Sequence, residues 1–372
     1  MGFNSSALTT YFTQQVQGII NQKASDQVIM KRLILPDFLK GLAALFMVQI
    51  HITELFIDTA GRESLFGKTS LFLGGPFAAV VFMLVMGYFI ARNKSTLAEN
   101  MVRGVKIFIL GFLLNFGLNF HLLLKIRFAD WPYNPLEYLF GIDILYLAGM
   151  SIVVLAVLKS LKKGQEAAAL ILLVSVIALT GFMNMKLTAG DHYYILPFIA
   201  GNYSWSYFPL FPWLAYPLAG FIFALHEPKI KLFYESNKTA SISIISVVAL
   251  GVLLYAKQGI HTTINLPEYY HHTFLFILWA IGLSVLWALL LKFVLKLLPG
   301  ASVTNFFCYI GKNITLFYVI QWLIIGNIAT TIYQTQNISQ YLYWFTGIFA
   351  ASVMLTFLIE KIRLKLFQKF QK

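Results

Sequence analysis

Lys40 and His51 stand eleven positions apart in the apolar stretch Arg32 to Phe56, and together they could do chemistry. On a helix, Asp37, Lys40, Ala44, Val48, His51 and Asp58 fall within a stripe about 80° wide. Lys40 and His51 then share one face about three turns, or roughly 16 Å, apart. The cation could hold an anionic group, and the imidazole could take or give a proton at the other end. Ionisable groups within a membrane helix are costly and face the protein interior or a water-filled path. Equally, Lys40 can snorkel to an interface and His51 can be a satisfied core histidine. The stripe alone fits both readings. Glu54, one turn beyond His51, is a candidate lining residue.

Four further places carry candidate chemistry. If a helix starts with Asn134 as its cap and Pro135 in its first turn, Asp143 lies two turns in, about level with His51. A carboxylate there needs a partner. It would orient or charge His51, as carboxylates do for catalytic imidazoles, or pair with Arg127 or a tyrosine. The stretch from Phe208 to Gly220 holds three prolines: Pro209 and Pro212 suit a helix entry, and Pro217 is expected to kink or loosen the helix. Backbone freed by such a break is tolerated at depth only where it lines a cavity or packs on protein, which makes Pro212 and Trp213 candidate substrate-lining residues. Lys312 and Asn313, after Gly311, could touch a phosphate or cap a helix. Glu268, His271 and His272, with His261 nearby, match no metal-ligand spacing, and no metal is expected. The sequence has no Walker loop, Rossmann glycine pattern, Gly-x-Ser-x-Gly elbow or His-Glu-x-x-His.

Such residues need elements that hold them. Hydrophobic residues make up 59% of the chain and charged ones only 12%, which excludes a soluble protein. Apolar runs of bilayer length fall near 34–57, 71–91, 104–124, 136–158, 167–186, 207–225, 240–257, 273–295, 313–333 and 341–360. The expected fold is therefore all-α, a polytopic bundle of about ten transmembrane helices. Of the 28 Lys and Arg residues, 21 fall on the side shared by both termini and 6 on the other, with Lys40 inside the first helix. By the positive-inside rule both termini are cytoplasmic. The basic balance thus reads as topology, and no nucleic-acid partner is expected. His51, His121, His192, His261, His271 and His272 sort to the outer side, among Tyr and Trp residues. Residues 1–31 form a polar tail without a cleavable signal, or a short interfacial helix. Residues 32–366 form the membrane domain, and 367–372 a basic tail. Cys308 is the single cysteine, so no intrachain disulfide framework exists.

Arg32, Asp37, Lys40-Gly41, Met47, His51 and Phe56 in this order resemble the opening of membrane acyltransferases related to heparan-alpha-glucosaminide N-acetyltransferase and to acyltransferase family 3. Later blocks are similar in order and spacing: Gly75-Pro76-Phe77 through Met86-Gly87-Tyr88, Phe140-Gly141 through Gly149, Phe208 through Gly220, and Gly311-Lys312-Asn313 through Tyr318. Three positions depart from the pattern. Lys40 stands for an arginine, Ile50 for an Asp before the histidine, and Gln321 for a late histidine.

The resemblance implies transfer of an acyl group, typically acetyl, from cytoplasmic acetyl-CoA or another acyl-CoA to an outer acceptor, often a sugar. It implies that Lys40 and the basic inner loops hold the coenzyme's phosphates, that the pantetheine arm runs up the Ala44/Val48 face, and that His51 meets the thioester carbonyl as general base or acyl acceptor. With the residues above, the expected site is His51 and Asp143 as catalytic, and Lys40, Asp37, Lys312 and Asn313 toward the coenzyme. Glu54, Pro212 and Trp213 would line the acceptor path. A bacterial inner membrane is the expected location, with the lipid bilayer as partner, and a homodimer is compatible with it. The rival from another class is a secondary transporter or flippase, motivated by the proline-broken sixth run and by Asp143.

Overall fold

The computed structural model describes residues 34–186, 194–297 and 301–370. The tail 1–31, Arg32, His192 and Tyr193 lie outside the described residues. Ten long helices organise the rest: α1 Ile34–Leu55, α2 Leu65–Arg92, α3 Leu97–Leu118, α4 Ile144–Ser160, α5 Gln165–Lys186, α6 Ala215–Ser236, α7 Lys238–Leu254, α8 Phe274–Leu297, α9 Ile314–Ile332 and α10 Tyr341–Phe370. Each of the ten apolar runs meets one of them. Among the described residues there is no strand, only the isolated bridges Ile57 to Gln336 and Ile142 to Ser206. The protein is an all-α polytopic membrane protein.

Seven helices are long and apolar enough to cross a bilayer singly; α6 and α7, joined at Asn237, qualify as a pair bent by 115°. Helix α4 has only 17 residues, because the chain from 140 to 143 is not helical and the helix starts at Ile144. The exposed face of α7 carries Ile242, Val247, Leu250, Leu253 and Leu254. Such a row suits lipid and would be a liability in water. Helix α10 continues through 366 to Phe370.

Local sequence sets the helix ends. Thr96 and Glu99 form a reciprocal capping box at α3. Asp143 caps α4 by accepting from the backbone N–H of Ile144 at 2.6 Å. Asn134 caps the short helix Pro135–Leu139, which ends before α4 begins, so Asp143 sits at a helix start and not two turns inside one.

Pro217 does not kink the sixth run. It lies in the first turn of α6, where the backbone N–H it lacks would have no intrahelical partner. The non-helical residue is Phe211, before it.

Several helix pairs touch backbone to backbone at glycines. A Cβ on Gly87 of α2 would come 1.9 Å from the Pro217 carbonyl oxygen, and one on Gly220 of α6 would come 1.9 Å from that of Leu84. Gly41 of α1 and Gly311 meet the same way, against the carbonyls of Phe307 and Asp37. Small residues permit this close packing where lipid supplies no hydrophobic drive between helices.

Candidate active site

His51 lies on the C-terminal half of α1, half-buried, and faces α9. Its Nδ1 is 3.2 Å from Gln321 Oε1. An amide oxygen only accepts, so Nδ1 carries the proton and Nε2 keeps the lone pair. The imidazole lies against Trp322, with ring centroids 4.0 Å apart, and near the edge of Tyr318 at 6.5 Å. Tyr318, Gln321 and Trp322 thus present one face of α9 to the histidine.

The Asp143 carboxylate does not pair with His51. Its Oδ1 accepts from the Tyr318 hydroxyl at 2.6 Å and from Ile144 N–H, and its Oδ2 is buried without a hydrogen-bond partner among the described residues. The link between the two candidates runs through α9, where Tyr318 holds one and Gln321, one turn on, holds the other. The segment that carries Asp143 is itself pinned. Asn115 of α3 donates to the Gly141 carbonyl at 2.6 Å, and Ile142 exchanges backbone bonds with Trp205 and Phe208 at 2.7 and 3.0 Å.

Glu54 opens onto a cavity of about 370 Å³ at the C-terminal end of α1, lined also by Thr59, Arg62, Glu63, Lys68, Leu71 and residues 264–267. Arg62 is fixed there, donating to Gln334 Oε1 at 2.9 Å, while Gln334 donates to the Glu54 carbonyl at 3.2 Å. The Tyr270 hydroxyl and Arg62 both act on the Glu54 carboxylate. Tyr270 also packs on Tyr207, centroids 5.2 Å apart, which joins Glu54 to the aromatic loops.

Pro212 and Trp213 line neither this cavity nor the cleft described below. Trp213 is fully buried, donates to the Tyr270 carbonyl at 2.9 Å, and packs against Phe208, Tyr216, Tyr269 and His272. Its work is to anchor the loop before α8.

His272, in that loop, is held by Tyr216 at 2.8 Å and by the Tyr269 carbonyl at 2.7 Å. Burial pushes its pKa down to about 3, which keeps the ring neutral. Its neighbour His271 is lowered by burial as well. Glu268 pairs instead with His261 at 3.5 Å, and among the described residues no three His, Cys, Asp or Glu side chains come together as a metal site.

Near the N-terminal end of α1, Lys40 is ion-paired to Asp37 at 3.0 Å and lies over the Phe89 ring at 4.9 Å. Lys40 also lines a cleft of about 90 Å³ with Arg103, Phe82, Met86, Phe89, Ile107, Leu145, Ala148, Ile152, Ile314 and Thr315. The pattern of cation and apolar wall was legible at Lys40; Arg103, one of several inner cations in the sequence, had no spacing to mark it. The Ala44/Val48 face is not an open track. Both residues are fully buried among Ile52, Phe56, Ile310, Ile314, Phe317 and Ile325.

Lys312 is exposed at the end of the helix Ala301–Lys312. The Asn313 amide is occupied, donating to Glu360 Oε2 at 3.1 Å and to the Tyr309 carbonyl at 3.2 Å. Gln321 stood out in the sequence only as a departure from the family pattern, and its contact with His51 was not foreseen. Its signal was an amide inside the apolar run of α9, which is as expensive there as a charge is in kind.

The region thus combines an imidazole that donates from Nδ1, a cleft with two cations near the N-terminal end of α1 and a polar cavity near its C-terminal end. His51 lines neither opening, and its Nε2 lone pair can take a proton. A family model described as an acyltransferase domain matches residues 34–361. A search of curated proteins finds no match.

Proposed function

The chain belongs to acyltransferase family 3, and on that premise we propose that it carries an acyl group, acetyl in the simplest case, from cytoplasmic acyl-CoA to a carbohydrate or glycoconjugate outside. The observation that carries this reading is His51, with Nδ1 held by Gln321, on a helix that has a cation-lined cleft at one end and a polar cavity at the other. The proposed topology counts all ten long helices as spans, with both termini cytoplasmic in a bacterial inner membrane. The split of basic residues, 21 against 6, supports it.

In this reading Lys40 and Arg103 attract the phosphates of the donor at the inner cleft, and the thioester arm enters beside Phe82 and Ile314. The acceptor enters through the cavity of Glu54 and Arg62. His51 Nε2 takes the acceptor's proton as its oxygen or nitrogen bonds to the thioester carbonyl carbon. The carbon–sulfur bond then breaks, and the leaving thiolate takes the proton from His51. Asp143 acts at one remove, fixing Tyr318 and with it the face of α9 that holds Gln321.

The test uses purified protein, labelled acetyl-CoA and a panel of methyl glycosides. Label passes to at least one glycoside with wild type, and His51→Ala reduces the rate by about 10²-fold or more. Undiminished transfer by His51→Ala would sink the mechanism. Label retained on His51 without acceptor would replace direct transfer by an acyl-histidine intermediate.

A further inference from the structure

Gln321 uses only half of its amide. Oε1 holds His51, but Nε2 is buried without a hydrogen-bond partner among the described residues, on a side chain with no exposed surface. Buried polar groups are rarely left unpaired, and each exception needs a reason. The amide is planar and rigid, so fixing Oε1 against His51 fixes Nε2 beside the same imidazole. A second buried donor without a hydrogen-bond partner among the described residues, Trp322 Nε1, lies on the same helix with its ring against His51. The Tyr318 hydroxyl is committed to Asp143, and an ionised Asp143 Oδ2 only accepts.

We infer that Gln321 Nε2 donates to the carbonyl oxygen of the thioester and to the oxyanion that forms on it, so that one amide both sets the tautomer of the base and stabilises the charge the base creates. This rests on the proposed acyl transfer. As the acceptor bonds to the carbonyl carbon, the carbon–oxygen π pair moves onto oxygen, where an N–H already in place is worth most. When the carbon–sulfur bond breaks, the pair returns, the thiolate leaves, and His51 gives it the proton. No group beyond acceptor, thioester, His51 and Gln321 is needed for the balance.

The experiment has a readout that does not depend on turnover. Acetyl-CoA labelled with ¹³C at the carbonyl is bound to wild type without acceptor, and its carbonyl stretch is read by difference infrared spectroscopy. A hydrogen bond from Gln321 moves the stretch to lower frequency than in solution; in Gln321→Met it returns to the solution position. Turnover with a methyl glycoside gives the second arm. Gln321→Met lowers kcat by about 10²–10³-fold, the loss expected for one oxyanion donor, with KM little changed.

Gln321→Glu separates holding from donating, and covers a Met variant that fails to fold. Its carboxylate still accepts from His51 Nδ1–H but has no proton to give. It stays at least about 10²-fold below wild type, with its base-limb pH profile moved and no carbonyl shift. Wild-type kcat in Gln321→Glu, or a carbonyl stretch equal in wild type and Gln321→Met, overturns the inference and leaves the acyltransferase reading standing. Failure of wild type to bind acetyl-CoA at all overturns both, and is told apart by the absence of any bound carbonyl signal.

Discussion

The two ends of α1 ask different things of their ionisable residues. At His51 the neighbours are neutral: an amide at Nδ1 and an indole face. A neutral partner fixes the tautomer without holding the ring protonated, which suits a base that must be free to take a proton. At Lys40 the neighbour is charged, and Asp37 keeps the ammonium compensated in a site where both side chains are nearly covered. A compact ammonium lacks the fork of arginine, so Lys40 acts as a point charge beside Arg103. If that charge serves donor binding, Lys40→Met raises the KM for acetyl-CoA by about tenfold, one charge-assisted contact, with kcat within a few-fold. Steady-state kinetics at saturating acceptor reads the split, and an unchanged KM removes Lys40 from the donor site. His51 and Lys40 were legible because charge in an apolar run is rare. The His51 partner was not, because pairing across 270 positions leaves no local spacing to read.

Among the elements, the conspicuous joints are glycine contacts that the sequence marks only as recurring small residues. Gly87 and Gly220 let α2 and α6 touch through their backbones at two points. A methyl group on either must push a carbonyl away. Gly87→Ala should therefore destabilise the protein by about 1–3 kcal/mol, the usual cost of overpacking. Gly251→Ala in α7, where a Cβ meets nothing within 4 Å, should not destabilise it. Equilibrium unfolding in mixed micelles gives the comparison, and equal stability of the two variants would refute the packing argument. Helix existence was readable from apolar length throughout, whereas the ends were read less well. The run at 136–158 gave no sign that the chain breaks at 140–143 to put Asp143 on a helix cap. The proline cluster suggested a kink at Pro217, but the departure from helix falls at Phe211. Tertiary contacts decided both, through Asn115 in one case and the aromatic packing of Trp213 in the other.

For the molecule as a whole, sidedness is the property that the charge count and the two cavities have in common. In the proposed topology the cleft of Lys40 and Arg103 lies toward the basic cytoplasmic face, and the cavity of Glu54 and Arg62 toward the opposite face. In sealed vesicles with the cytoplasmic face outward, acetyl-CoA added outside should drive transfer to a methyl glycoside trapped within. Vesicles of the opposite orientation, with the same additions, should give none. Equal yields from both orientations would contradict the proposed topology. An imidazole set between the two openings on one helix also has an electrical consequence. The acetyl group replaces a hydrogen on the acceptor outside, and that hydrogen replaces the acetyl group on the thiol inside, so each compartment keeps its charge and no net charge crosses the bilayer. The transfer is therefore indifferent to a membrane potential, and in the same vesicles an uncoupler should leave the yield unchanged.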